Sequence, residues 1–334
     1  MWDFSIGRTL GLMGQTVPFV IFRMLVYFGI ALAYVLVTGV GAGVGWGVGA
    51  FGDGDFQAAS TTWGGILGFG LTAGAIYFLR EYLLYLVKAG HIAVLVELLD
   101  GRGVPQGQGQ IAYATGIVRE RFAETSVLFG IDQLVKGVLG AILGLIQGVA
   151  ALLPIPGLQN VVGLVRAFLR VAIGLMDEVI LGYLMRTRAD NPWTGAQTAL
   201  VLYAQNYKVM LRNAAWLTVI MYALAFLVFL LMLAPAAALV WFLPNAWGAG
   251  GIVVAILFAW AVKAALIEPF AIAAMMDVYF RVIEGQTPDP AWQQRIGEVS
   301  RKFRDLGEKA ANWAGLRPAP PPPEDFTAPG GPVV

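Results

Sequence analysis

The sequence predicts an all-α, polytopic membrane protein with six transmembrane helices, which form three hairpins that are each followed by a cytoplasmic amphipathic helix. The first observation is composition: hydrophobic residues make up 58% of the 334 residues and charged residues 13%, against roughly 45–50% and 25% in soluble domains. The second is that six apolar segments reach the length of about 20 residues that a spanning helix needs. The third is the distribution of Lys and Arg, which sets the orientation of such helices.

The six predicted spans follow one another as three pairs. They cover residues 17–40, 62–87, 126–153, 158–183, 215–243 and 249–279. The turn inside each pair lacks basic residues, since no Lys or Arg occurs between Arg23 and Arg80, between Lys136 and Arg166, or between Arg212 and Lys263. Because Lys and Arg concentrate in cytoplasmic loops, both termini are predicted to be cytoplasmic and the protein to lie in the cell (cytoplasmic) membrane.

The three hairpins are predicted to be copies of one unit within a single transmembrane domain, residues 1–316. Each pair of spans is followed by a polar turn with a proline and then by an amphipathic stretch. In the last stretch, apolar residues from Trp292 to Trp313 recur at alternating spacings of four and three, which places them on one helix face. The repeat units comprise residues 15–125, 126–214 and 215–313. Residues 317–334 form a proline-rich tail that is predicted to be disordered.

Composition also excludes several classes of function. The chain has no cysteine and one histidine, His91, so disulfides, thiolate chemistry and a His-rich metal site or proton relay are excluded. The net charge of +1 gives no basic field for nucleic acid. No Ser/His/Asp arrangement, HExxH motif or P-loop occurs, so we expect no enzyme activity and no cofactor. The expected partner is the lipid bilayer, and the oligomeric state does not follow from the sequence.

Charged residues inside apolar segments are the candidate functional residues, because a charge in the membrane is costly. Those selected for a substrate or ion path are Glu178, Glu268, Asp177, Arg170 and Lys263. Glu178 and Glu268 come first, since neither has a basic residue three or four positions away on its own helix. Pro269 frees a backbone carbonyl beside Glu268, and a carboxylate at a broken helix is suited to hold a cation. The alternative is that these charges pair with one another in a structural role.

Glycines are concentrated after the first span and within the third. Every second residue from Gly39 to Gly49 is glycine, which suits either a re-entrant segment or a closely packed one. The order of these glycines does not fit a dinucleotide-binding fingerprint, because no strand precedes them. Gly140, Gly144 and Gly148 follow the small-xxx-small spacing of tightly packed membrane helices. Helix packing is the predicted role of both groups.

Two segments in the C-terminal half carry a distinctive pattern of aromatic, amide and acidic residues. The first comprises Tyr203, Asn206, Tyr207, Arg212, Asn213 and Ala214, and the second comprises Asp277, Tyr279 and Glu284. This pattern resembles the choline-transporter-like family, although the cysteine-rich extracellular loop of that family is missing here. The resemblance implies membrane transport of choline or a related amine, and it adds Tyr203 and Asn206 to the candidate site. Aromatic faces bind a quaternary ammonium.

Two functions remain as hypotheses at this point. The first is a transporter that moves choline or another small organic cation. The second is a non-transporting membrane scaffold or assembly factor, whose intramembrane charges are structural and whose amphipathic helices lie on lipid or bind a partner. A channel or a lipid-modifying enzyme is a more distant alternative. A cavity lined by Glu178, Glu268 and aromatic residues would favour transport, whereas a dry bundle would favour the scaffold.

Overall fold

A computed structural model describes residues 1–79, 84–104, 108–121, 130–131, 133–141, 158–241 and 248–313. Within these ranges the regular structure is helical and no strand occurs. The first half contains α1 (Ile6–Gln15), α2 (Val17–Gly49), α3 (Gly54–Leu79), α4 (Tyr85–Leu99) and α5 (Gln110–Arg121). Residues 133–141 are also helical. Ser5 begins α1 as an N-cap, because its hydroxyl accepts the backbone N–H of Arg8.

The second half begins with the long helix α6 (Leu158–Thr187), which is followed by α7 (Pro192–Gln205) and α8 (Tyr207–Trp241). Helix α9 (Gly248–Val262) continues through a π-helical segment, Lys263–Ile267, into α10 (Glu268–Val282). Two short helices, α11 (Pro290–Val299) and α12 (Arg301–Ala311), follow. Polar N-caps at Asn191, Asp289 and Ser300 each accept a backbone N–H and fix where α7, α11 and α12 begin.

Three helical segments in the described part of the chain are long and apolar enough to cross a membrane: Val17–Gly49, Tyr207–Ala238 and Gly251–Val282. They overlap the first, fifth and sixth predicted spans. Helices α3 and α6 overlap the second and fourth predicted spans, but α3 is rich in glycine and α6 carries charged residues. The third predicted span, 126–153, lies largely outside the described residues. The six-span arrangement therefore stays a prediction.

The glycine-rich stretch that ends at Gly49 is the last part of one continuous helix, α2, and not a re-entrant segment. Alternate glycines of this stretch contact α3. A Cβ atom on Gly41 would overlap the Gly64 carbonyl oxygen, and one on Gly45 would overlap the Ser60 carbonyl oxygen. A Cβ atom on Gly49 would overlap Ser60 and Gln57, whereas Gly39, Gly43 and Gly47 have open space where a side chain would lie. One face of the stretch thus allows the backbones of α2 and α3 to approach closely.

The protein core lies around α4, α6, α7 and α10. Eleven of the 15 residues of α10 are buried, and an unbroken buried run extends along α4 from Ala89 to Glu97. A helix that is apolar on all sides is surrounded by other helices or by lipid. In this chain the surrounding elements include α6 and α7, and the residues of α7 from Ala199 to Ala204 are also buried.

The two C-terminal helices pack against α7. Phe303 and Leu306 of α12 are buried, and Gln197 of α7 donates a hydrogen bond to the Phe303 carbonyl oxygen over 3.3 Å. Asn191 donates to the Ala310 carbonyl oxygen over 2.9 Å. The apolar residues predicted to form one helix from 292 to 313 are divided between α11 and α12, because Ser300 ends one helix and caps the next.

Residues 2–8 form an N-terminal strap that joins the beginning of α8 to the end of α10. The Asp3 carboxylate accepts hydrogen bonds from Arg212 over 2.5 Å and from Asn213 over 2.6 Å, while Arg281 donates to the Asp3 carbonyl oxygen over 2.8 Å. Burial raises the pKa of the Asp3 carboxyl, but the hydrogen bonds from Asn213 and Arg212 and the Arg212 charge outweigh it and leave that pKa below its ordinary value.

Candidate functional site

Charged side chains from four helical segments meet at a cavity of about 400 Å³. The charged residues that line it in the described part of the chain are Lys88, Lys136, Asp177, Glu178 and Glu268. The aromatic residues that line it are Tyr27, Tyr77, Tyr85 and Trp260. The two glutamates and Asp177, which the sequence selected as candidates, therefore lie at one site. These residues lie on two helices, α6 and α10, that are far apart in the sequence and are brought together by the fold.

Glu178 forms the shortest ion pair of the cavity. Lys88 Nζ of α4 lies 2.5 Å from Glu178 Oε1. The Glu178 residue is only 7% exposed, and its other carboxylate oxygen, Oε2, has no hydrogen-bond partner among the described residues. A buried carboxylate oxygen without a donor is unfavourable. Glu178 therefore keeps unused capacity to accept a hydrogen bond or a positive charge.

Asp177 and Lys136 form a second, longer pair. Lys136 Nζ lies 3.5 Å from Asp177 Oδ2, and 44% of the lysine side chain is exposed. The other Asp177 oxygen, Oδ1, accepts the backbone N–H of Glu178 over 2.9 Å. Consecutive acidic residues on α6 thus have different environments, because Asp177 accepts a backbone N–H in addition to its contact with Lys136, whereas the Glu178 carboxylate is bound by Lys88.

Glu268 is paired with a lysine that lies five residues earlier in the chain. Lys263 Nζ donates to Glu268 Oε1 over 2.8 Å. Side chains five residues apart do not align on an α-helix, where neighbours are three or four apart. The π-helical segment Lys263–Ile267 has i to i+5 hydrogen bonds, which bring this spacing into line. The spacing of three or four residues that identifies partners on an α-helix therefore does not reveal this pair.

The π-helical segment also leaves a backbone carbonyl that needs a donor. The Glu268 N–H bonds to the Lys263 carbonyl oxygen, so it is not available to Ala264, and Pro269 has no N–H. Arg23 of α2 supplies the donor, since its Nη2 lies 2.7 Å from the Ala264 carbonyl oxygen. The sequence indicated that Pro269 would leave a backbone carbonyl without its donor. In the structure the buried Arg23 donates to such a carbonyl, that of Ala264.

Aromatic rings complete the wall of the cavity beside Glu268. Tyr27 and Trp260 meet edge to face, with ring centroids 5.5 Å apart and an interplanar angle of 81°. The Arg23 guanidinium carbon lies 5.7 Å from the centroid of the Tyr27 ring. Aromatic faces attract cations through the negative potential of the ring. The cavity therefore combines carboxylates with aromatic surfaces, which is the chemistry that binds an alkylammonium group.

The two candidates that came from the family resemblance lie elsewhere. Tyr203 is buried in the core, where its ring stacks on Tyr279 with centroids 6.0 Å apart. Asn206 caps the end of α7 and donates to the Leu202 carbonyl oxygen over 2.8 Å. Neither residue is among those that line the cavity. Arg170 belongs to α6, and its side chain lies outside the described part of the structure.

Sequence reasoning missed Lys88 and Arg23 as members of the site. Arg23 lies within the first predicted span and Lys88 directly after the second, which is a usable signal, but neither was among the candidates chosen from the sequence. In the structure the side chain of Lys88 is 31% exposed and Arg23 is 1% exposed. Their partners lie on helices that are distant in sequence.

No family model, curated protein or solved structure matches the chain. The resemblance of the C-terminal half to the choline-transporter-like family therefore stays a prediction that rests on the residues named above. The geometry of the cavity is the remaining basis for a functional proposal.

Proposed function

We propose that this protein is an integral membrane transporter that moves choline or another small organic cation across the cytoplasmic membrane. The cavity that joins Glu178, Glu268 and aromatic rings carries this proposal. A quaternary ammonium is bound by aromatic faces and nearby carboxylates, and both are present in one place. The volume of about 400 Å³ falls in the range of roughly 300–1,000 Å³ of small-molecule sites.

The Glu178 carboxylate, rather than the overall charge, supports a cation over an anion. Among the described residues that line the cavity, three are carboxylates and two are lysines, and Lys263, which does not line it, pairs with Glu268, so these six groups balance in charge. A cation is therefore favoured where a carboxylate oxygen still has capacity to accept. Glu178 contributes the carboxylate oxygen that has no donor among the described residues.

The proposal includes the predicted topology of six spans with both termini in the cytoplasm. The three apolar helical segments long enough to cross a membrane support the first, fifth and sixth of these spans, and the absence of Lys and Arg from the three predicted outer turns supports the orientation. On this topology α7, α11 and α12 lie at the cytoplasmic side. The repeat of three similar hairpins belongs to the same proposal.

The scaffold alternative is less well supported by the described residues. It predicts a dry bundle, whereas charged side chains here line a cavity. It also predicts amphipathic helices that are free to lie on lipid or bind a partner. In the described chain, Phe303 and Leu306 of α12 are buried and its backbone accepts hydrogen bonds from α7.

Uptake into proteoliposomes tests the proposal. We expect the purified protein to take up radiolabelled choline or another small amine, and Glu268→Gln to lower the rate by about tenfold or more, because a charge-assisted contact contributes about 1.5–3 kcal/mol. Glu178→Gln should have a similar effect. Glu298→Gln, on the exposed surface of α11, is the matched control and should keep the wild-type rate.

Equal stability of the reconstituted variants, measured by thermal unfolding, separates a transport defect from misfolding. Failure of the wild-type protein to take up choline or any small amine would contradict the proposal. So would a Glu268→Gln variant that transports as fast as the wild type.

A further inference from the structure

Lys88 is the lysine most closely engaged with the carboxylates of the cavity. Its ammonium lies 2.5 Å from Glu178, and Glu268 lines the same cavity from α10. Lys88 comes from α4, whereas both acids belong to other helices. A lysine ammonium is a compact charge on a flexible four-carbon stem. It can therefore withdraw from a carboxylate without any movement of the backbone.

We propose that Lys88 is a tethered cation that occupies the ammonium position of the cavity, and that a small organic ammonium binds by replacing it at Glu178. This inference rests on the proposed function, because it specifies how that same site accepts its cation. With Lys88 in place, the buried Glu178 carboxylate keeps a counter-ion when no solute is bound. A bound ammonium would make the same contact and release Lys88.

The other two lysines are less suited to this role. Lys136 is half-exposed and lies 3.5 Å from Asp177, whose other oxygen is already held by the backbone. Lys263 pairs with Glu268 along its own helix and is not among the residues that line the cavity. Lys88 pairs with Glu178, the acid whose second oxygen has no donor among the described residues.

The proposal predicts that removal of the Lys88 side chain creates a position that a free ammonium can fill. Lys88→Ala removes both the charge and the volume of the chain and leaves Glu178 without its counter-ion. Methylammonium has the size and charge of the lost group. It should therefore bind the variant more tightly than the wild-type protein, in which the tethered ammonium competes for the same carboxylate.

The experiment measures methylammonium chloride binding to purified wild-type and Lys88→Ala protein in nanodiscs, by calorimetry and by the shift in thermal unfolding midpoint. Sodium chloride at equal ionic strength controls for screening. We expect Lys88→Ala to bind methylammonium at least about fivefold more tightly, which is the effect of removing one like charge at about 4 Å even in a medium as polar as water. Lys136→Ala, which removes a lysine from the same cavity, should gain less.

The double variant Lys88→Ala/Glu178→Gln should lose the gain, because the carboxylate that holds the ammonium is absent. The proposal is overturned if Lys88→Ala binds methylammonium no more tightly than the wild type, or if the double variant keeps the gain. Lys88→Gln, which removes the charge and ends short of the ammonium position, replaces Lys88→Ala if the smaller variant does not fold.

The outcome is distinguishable from that of the transport proposal. A gain in methylammonium binding by Lys88→Ala, together with no amine uptake by the wild type, would support the tethered cation and contradict transport. Amine uptake by the wild type, together with no gain in the variant, would support transport and overturn the tethered cation.

Discussion

Arg23 connects the backbone geometry of one helix to a side chain of another. Its guanidinium donates to the Ala264 carbonyl oxygen over 2.7 Å and is almost fully buried. That carbonyl needs a donor because the π-helical register diverts the Glu268 N–H and because Pro269 has no N–H. The arginine therefore stabilises the break that places Glu268 at the cavity.

We predict that Arg23→Met lowers the free energy of unfolding by about 2 kcal/mol, since a hydrogen bond from a charged donor contributes about 1.5–3 kcal/mol. The effect should be smaller in a Pro269→Ala background, because the alanine N–H can bond to the Ala264 carbonyl oxygen. The free energies of unfolding of the wild type, both single variants and the double variant are measured by denaturation in sodium dodecyl sulfate. Together they give the coupling energy between Arg23 and Pro269. Additive effects of the two substitutions would contradict the role assigned to Arg23.

At the residue level, the sequence located the acids of the cavity but not their partners. Glu178 and Glu268 were selected because each lacked a basic neighbour at α-helical spacing. Lys88 lies 90 residues from Glu178, and only the packing of α4 against α6 brings them together. Such a pair leaves no periodic signal, since it depends on which helices become neighbours.

The hairpin of α2 and α3 depends on glycine at positions where the two backbones meet. Gly45 faces the Ser60 carbonyl oxygen, and any Cβ atom would overlap it. Gly43, two residues earlier, has open space at the position of a Cβ atom. Glycine at position 45 therefore allows the two helices to pack closely, whereas the described residues leave space for a side chain at position 43.

We predict that Gly45→Ala destabilises the protein by about 1–3 kcal/mol, as expected for an overpacked contact. Gly43→Ala is the matched control and should change the free energy of unfolding by less than about 1 kcal/mol, because alanine favours the helix and meets no atom. Unfolding of both variants in the same detergent checks the difference. Equal effects of the two substitutions would rule out close packing as the reason for the glycines.

Element boundaries were predictable where the chain carries a local signal. The beginning of α2 follows from the apolar run after Thr16, and the beginning of α7 follows from Asn191 and Pro192. The π-helical segment was not predictable, because no residue type specifies i to i+5 bonding. The division at Ser300 was also missed, since the apolar periodicity continues through it and hides the N-cap.

The topology of the whole molecule can be tested because the chain has no native cysteine. We predict that Asp53→Cys, in the turn between α2 and α3, reacts with a membrane-impermeant maleimide in intact cells. Glu298→Cys, on α11, should react only after the membrane is opened. Both sites are exposed, so lack of reaction is not a matter of burial. Labelling of Glu298→Cys in intact cells would contradict cytoplasmic placement of the C-terminal helices.

For the molecule as a whole, composition was sufficient to predict helices that are long and apolar enough to cross a membrane, because this property follows from summed hydropathy. The arrangement of those helices was not. The repeat of three hairpins treats the chain as consecutive units, whereas the described structure has α4, α6, α7 and α10 in one core. Packing partners of this kind are set by side-chain shape and buried charge, which single-sequence patterns do not report.

The N-terminal strap has a consequence for the order in which the protein can be completed. Asp3 precedes Arg212 by 209 residues and Arg281 by 278, so it leaves the ribosome long before either arginine. Its carboxylate and carbonyl oxygen have no arginine from this cluster until α8 and then α10 have been synthesised. Contacts between distant parts of a chain form late and slowly. The strap can therefore be completed only after α10 has been synthesised, which places it late in the folding of the described bundle.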